Sequence, residues 1–400
     1  MRDSGQERWL LPEGVQDLLP GESHALEHFR RQCLDLYERH GFELVIPPLL
    51  EYRSALLTGV GGDLEMRTFR MTDPSSGQQL GLRADMTPQV ARMDALRPNR
   101  RSVERYCYAG SVVATQARYL GGSRCSVQIG CELYGHPGLE ADLQILRLML
   151  LSLRASPCDQ LILELGHAGI LRGIVEELGL NESQAEQVHD ALQRKARAEL
   201  ETLISTLPKD SEVLLTLLGL AGPGSVLVQA RQALLHVFPR LEAVLDDLDR
   251  VVAYLAESFP DVELYVDLAE LRGYRYHTGL FFAAYVDQLR FEVAKGGRYD
   301  DVAAAFGCSR PATGFSLDTL ALMQGAERRS KTIYAEPAAS QECVAQIDQW
   351  RQQGYRVIDV LPGEPLQALH DGDQVLVKEQ GQWCLRSLKG ESSTLDRNHG

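Results

Sequence analysis

Between Leu82 and Glu132 the chain gathers residue types able to hold a small charged molecule: carboxylates at Asp85 and Glu132, a hydroxyl at Thr87 and an amide at Gln128. Two segments in this stretch read as strands, one carrying Tyr106, Tyr108 and Val112, the other Val127, Ile129 and Cys131. Side chains alternate along a strand, so Gln128, Gly130 and Glu132 share one face. Asp85 and Thr87, two residues apart, can share a face in the same way. Two carboxylates, an amide, a hydroxyl and a glycine gap make a suitable floor for a small-molecule site. The pattern alone fits a solvent-exposed polar face equally well.

The elements that must position these groups follow from the flanking sequence. Pro12 to Pro20 is turn-rich, and Ser23 is placed to cap a helix carrying Leu26, Phe29, Cys33, Leu36 and Tyr37 at helical spacing. Phe42 to Pro48 reads as a strand whose two prolines confine it to an edge or a subunit contact. Arg67–Thr72 and Gln79–Arg83 flank a turn at 73–77 and read as a hairpin. Ala141–Leu153 and Ala168–Leu178 read as helices on either side of a strand at Leu161–Leu165, and residues 180–257 as an all-helical insertion. Strand patterns resume at Val262–Leu268, Leu280–Val286 and Leu289–Ala294. A charged linker at 327–331 precedes a small α/β unit at 332–390, and a flexible tail is expected over 391–400.

Composition narrows the function classes. The chain has 400 residues, 44% of them apolar, enough for more than one folded unit. Its 55 acidic against 41 basic residues give a formal charge of −14, which argues against a polyanion as the main partner. The eight cysteines lack zinc-knuckle spacing and there is no HExxH, so no metal or cofactor is expected. They read as small buried hydrophobes in a reducing compartment. No apolar run is long enough to span a bilayer, and a cytoplasmic location with no membrane association is expected.

The ordered motifs resemble the class II aminoacyl-tRNA synthetase core of the histidyl-tRNA synthetase type over about residues 8–325. Pro12-Glu13-Gly14-Val15-Gln16-Asp17-Leu18-Leu19-Pro20 is similar to its opening segment. His40-Gly41-Phe42 through Pro47, Pro48 and Glu51 resembles its first motif, which lies at the dimer interface. Leu82-Arg83-Ala84-Asp85-Met86-Thr87 stands in the place of Leu-Arg-Pro-Glu-Gly-Thr, and Gly296-Gly297-Arg298-Tyr299-Asp300 matches outright. Two departures bear on function. Ala114 occupies the position of the arginine that holds the ATP α-phosphate, and 314–322 contains no counterpart of the third-motif arginine. Losing one such cationic donor typically costs about 2.7–4 kcal/mol of transition-state stabilisation.

A synthetase-like chain without those arginines resembles the regulatory subunits of ATP phosphoribosyltransferase, paralogues of the synthetase that act in histidine biosynthesis. The resemblance implies an α+β fold: an antiparallel sheet flanked by helices over 1–326, the helical insertion, and the small C-terminal unit. It implies a non-catalytic chain that binds histidine through Asp85, Thr87, Gln128, Glu132, Arg272, Tyr276 and His277. It also implies a homodimer through the first motif and a hetero-octamer with a short catalytic subunit, which the chain activates and subjects to feedback inhibition by histidine. The alternative is a histidyl-tRNA synthetase or a tRNA-sensing paralogue. The charge disfavours nucleic acid.

Overall fold

A computed structural model describes residues 10–59, 62–98, 101–119, 121–158, 160–270, 276–287, 289, 291–307, 309–328, 331–335, 341–364, 372–379 and 382–387. Arg272 and the tail from 391 lie outside these residues. The chain divides into two compact units, Met1–Ala326 and Glu327–Gly400.

In the first unit the strands, in chain order, are β1 Glu43–Leu44, β2 Leu50–Tyr52, β3 Arg70–Thr72, β4 Gln79–Leu82, β5 Glu104–Val113 and β6 Cys125–Tyr134, then β7 Leu161–His167, β8 Ala221–Gly222, β9 Glu263–Asp267, β10 Leu280–Val286, β11 Ala294–Arg298 and β12 Ala312–Asp318. Nine described strands form one sheet in the order β1-β5-β6-β12-β11-β10-β7-β9-β8, while β2, β4 and β3 form a smaller one. The large sheet is antiparallel through its centre. It is parallel where β1 meets β5 and where β7 meets β9, so it is mixed rather than wholly antiparallel. Parallel neighbours need a long crossover, and the helices between β7 and β9 supply one. The insertion is helical except for β8, which pairs with β9.

One face of this sheet carries the core. Ile129, Cys131 and Leu133 of β6 pack with Phe29, Cys33 and Tyr37 of the helix Pro20–Arg39 and with Ile145, Met149 and Leu153 of the helix Leu139–Arg154. The Tyr37 phenol is satisfied there by Ser152 Oγ at 2.9 Å. Apolar residues of the insertion, including Leu192, Leu214, Leu245 and Leu255, join the same core. The period-two pattern of β6 thus turns its apolar residues to the helices and its polar ones to the opposite face.

Local departures from the sequence reading have local causes. The first helix starts at Pro20, not after Ser23. Proline suits the first helical position, and the Glu22 carboxylate accepts from the Leu19 N–H at 3.4 Å. Arg67 ends the short helix Gly62–Arg67 instead of opening the hairpin. The strand expected over Leu289–Ala294 begins at Ala294 and runs through Gly296 and Gly297. Only glycine allows this: a Cβ on Gly297, at φ +154°, would lie 2.6 Å from the Leu280 carbonyl oxygen. Cys125, Cys158 and Cys384 are half-buried rather than core residues.

In the second unit β13 Thr332–Ala335 lies parallel to β14 Arg356–Asp359 and β15 Gln374–Glu379, and β16 Gln382–Ser387 pairs antiparallel to β15. Ile333, Ala335, Ile347, Val357 and Leu376 make its core, with Ile347 supplied by the helix Gln341–Gln352.

Candidate functional site

The strand register defines the polar face. Glu132 lies opposite Tyr106 on β5 and Gly314 on β12, Gly130 opposite Tyr108 and Ser316, and Gln128 opposite Gly110 and Asp318. On β11, Lys295 and Gly297 pair with Ser316 and Gly314. Opposed residues project to the same side, so these positions form one surface. Glycines at 110, 130, 297 and 314 leave room there for the larger groups. A Cβ on Gly130 would lie 2.5 Å from the Tyr108 hydroxyl, and one on Gly314 would fall on the Glu132 carboxylate.

Glu132 is the centre of a buried polar cluster and is 1% exposed. Tyr108 Oη donates to its Oε1 at 3.1 Å, and Tyr299 Oη donates to Oε2. Thr87 Oγ1 stands 3.2 Å from Tyr108 Oη and extends the chain of hydroxyls. The loop before the helix Thr87–Leu96 is clipped to this face by Gln128. Its Nε2 donates to Asp85 Oδ1 at 3.0 Å, and its Oε1 accepts from the Met86 N–H at 2.8 Å. Asp85 Oδ1 also accepts from the Thr87 N–H at 3.0 Å, which sets both residues over the strand.

The aromatic side of the cluster comes from the residue after β11 and the segment before β10. The Tyr276 ring lies 5.1 Å from Tyr299 and meets His277 edge-on at 5.4 Å. His277 stacks on Phe281 at 5.7 Å, with Nδ1 3.3 Å from the Arg298 carbonyl oxygen. The structure therefore gathers Asp85, Thr87, Gln128, Glu132 and Tyr276, with His277 behind Tyr276. It describes nothing at Arg272. Tyr108 and Tyr299, the two donors on Glu132, are site residues that the sequence reading left out. Their signals were present in the alternation of β5 and in the Gly-Gly-Arg-Tyr-Asp motif.

Burial dominates the electrostatics. It pushes the Glu132 carboxyl up to about 8, against the opposing pull of hydrogen bonds from Tyr299, Thr87 and Tyr108. Burial also drives the Tyr108, Tyr276 and Tyr299 phenols upward, which keeps them neutral donors. His277 falls to about 4 for the same reason, so it is a neutral imidazole at physiological pH. A buried acid ringed by hydroxyls becomes ionised most readily when a cation arrives beside it. Arg298 has a different role. Its guanidinium donates to Asp142 at 2.8 Å and 3.0 Å and to the carbonyls of His136 and Gly138, so it braces β11 against the helix Leu139–Arg154.

Beside this cluster, on the far side of Gln128, opens a cleft lined by Ala114, Asp318 and three arginines, Arg67, Arg118 and Arg124. Ala114 leaves no guanidinium at its own position, yet the cleft is not free of positive charge, because the arginines arrive from other positions. A separate cluster, Glu164, Asp267 and Glu270, brings carboxylate oxygens within 4.8 Å of one another. Asp267 is bound to Lys195 Nζ at 2.7 Å and Glu164 to Tyr285 Oη at 2.9 Å, so internal partners already hold these acids.

Residues 14–322 match the profile of the histidyl-tRNA synthetase family, and residues 330–386 match that of the ATP phosphoribosyltransferase subunit HisZ C-terminal domain. The regulatory subunit of ATP phosphoribosyltransferase from Pseudomonas fluorescens is 44% identical over 389 residues, covering 96% of this chain and 98% of that protein. The chain belongs to the ATP phosphoribosyltransferase regulatory subunit family. Solved structures agree on the fold. An ATP phosphoribosyltransferase regulatory subunit/histidyl-tRNA synthetase from Bacillus halodurans superposes with a TM-score of 0.76 at 24% identity, covering 88% of this chain and 92% of that one. A chain of the ATP phosphoribosyl transferase complex from Thermotoga maritima gives 0.57 at 20% identity, covering 76% and 98%. The regulatory-subunit family thus includes the C-terminal unit as well as the synthetase-like core. No described helix is long and apolar enough to cross a membrane.

Proposed function

We propose that the chain is the non-catalytic regulatory subunit of ATP phosphoribosyltransferase, acting at the first step of histidine biosynthesis in the cytoplasm. In this reading it activates a short catalytic subunit and transmits feedback inhibition by histidine. The observation that carries the effector assignment is the buried Glu132 carboxyl, held by two tyrosine hydroxyls next to Asp85 and Gln128. An α-ammonium pairs with carboxylates, and an imidazole needs both a donor and an acceptor; this set of groups offers all three. A site of paired polar groups can reject analogues that lack the imidazole by about 10⁴-fold.

The same reading includes a homodimer through the edge near β1 and β2. Leu44, Ile46, Leu49, Leu50 and Tyr52 are 53%, 79%, 42%, 42% and 47% exposed in the single chain. An apolar patch of this kind is typical of surfaces covered by a partner. A hetero-octamer with the catalytic subunit follows from the family resemblance.

The test is reconstitution. The chain should co-purify with a short catalytic subunit and raise its rate, and histidine should lower the rate of the complex. A chain that neither binds the catalytic subunit nor changes its rate would contradict the assignment.

A further inference from the structure

We infer that Lys195, on the helical insertion, is a positioning residue for the effector: it holds the turn from which the chain leaves β9 toward Tyr276 and His277. This role rests on the reading that histidine binds among Glu132, Tyr276 and their neighbours, and it ties histidine affinity to the insertion.

The turn is organised by one buried acid. Asp267, the last residue of β9, is 1% exposed. Its Oδ1 accepts from the Ala269 N–H at 2.9 Å, and its Oδ2 accepts from Lys195 Nζ at 2.7 Å. The Glu270 N–H closes the turn on the Asp267 carbonyl at 3.4 Å. Five residues of sequence then separate Glu270 from Tyr276. Core elements fasten the far end of this stretch. Arg172 donates to the His277 carbonyl at 2.7 Å, and the Thr278 N–H donates to the Arg298 carbonyl at 2.8 Å. At the near end the insertion takes that part. Besides Lys195, it supplies the Leu220 carbonyl, which accepts from the Leu268 N–H at 3.1 Å, and Ala221, which pairs with Asp267 across the β8–β9 ladder.

The backbone at Lys195 points to a residue kept for its side chain. It follows the helix Glu182–Gln193 in the left-handed region, at φ +50°. Its N–H donates to the Leu192 carbonyl at 2.9 Å and the Ala196 N–H to the Ala191 carbonyl at 2.8 Å, a helix ending that glycine usually serves. Glycine would close the helix without the strain that a Cβ brings there. What glycine lacks is an ammonium group. Glu164 and Glu270 each bring a carboxylate oxygen within 4.8 Å of Asp267, so three acids gather at the turn. Asp267 holds the Lys195 amine above its ordinary range, and Tyr265 and Glu270 add to the pull. The ammonium thus offsets a repulsion among buried and half-buried acids that would otherwise open the turn.

Titration calorimetry of the full chain with histidine tests the inference. The Lys195 side chain is 53% exposed, so Lys195→Met should fold. It should bind histidine about tenfold more weakly, and Lys195→Arg should restore most of the affinity. Asp267→Asn keeps an acceptor for Ala269 and should lose about as much. The double variant should be no weaker than either single one, because the two side chains form one link. Hydrogen exchange supplies a readout without ligand: the Ala269 amide should exchange faster in Lys195→Met while those of β10 stay protected. A wild-type chain that binds no histidine would remove the effector reading and this role with it. Histidine binding by the wild-type chain with unchanged affinity in Lys195→Met, or a loss that Lys195→Arg shares in full, would overturn the role of Lys195 alone.

Discussion

Gln128 stands between two regions of opposite character. On one side Glu132 is acidic and so deeply buried that its charge is suppressed, against the pull of its hydrogen bonds, until a cation comes close. On the other side Arg67 and Arg118 line an open cleft and form no ion pair with a described residue, although Asp85, Asp63 and Glu292 act on Arg67 from a distance. The comparison shows that one sheet face can serve two electrostatic tasks when its neighbours differ. Tyrosines and glycines enclose the acid, whereas a short helix and the loop after β5 deliver the cations.

Arg298 offers the strongest way to sharpen that contrast, because it is an arginine with every need met. Arg298→Met should strand the buried Asp142 and destabilise folding by about 3–5 kcal/mol, read from chemical denaturation. A loss below 1 kcal/mol would show that the Asp142 pair does not brace β11.

The pH dependence comes next. A carboxyl raised from 4.5 to about 8 favours the fold in its protonated form. That contribution is complete below about pH 4.5 and is lost as pH rises through 8, so Glu132 makes the ligand-free chain less stable across this window. Histidine, whose ammonium favours ionised Glu132, should bind more tightly from pH 6 to 8, by up to about tenfold per unit, with release of a proton. Calorimetry in buffers of different ionisation enthalpy measures that proton, and affinity independent of pH would break the link to Glu132. The smallest effect is expected from Tyr299→Phe. Removing one donor should weaken histidine by about three- to tenfold and shift the pH midpoint upward.

Much of the acidic side was legible in the sequence. Period-two alternation alone put Gln128 and Glu132 on one face, and the spacing of Asp85 and Thr87 placed them together. The tyrosine donors were harder to foresee, since Tyr108 reads equally as core and Tyr299 reaches Glu132 across 167 residues of sequence. The cleft was not foreseen at all. A motif comparison registers Ala114 as a lost arginine, but no periodicity reports that Arg67, at the end of a short helix, arrives at the same place. The glycine-bearing β11 was misplaced because Gly296 and Gly297 look like a turn until the close approach of their neighbours is known.

The most direct test of the regulatory account is histidine inhibition of the reconstituted complex, made with the wild-type chain or with Glu132→Ala. The account predicts that both chains activate the catalytic subunit and that only the wild-type complex is inhibited, the variant needing about 100-fold more histidine or failing to respond. Equal inhibition of both complexes would contradict it.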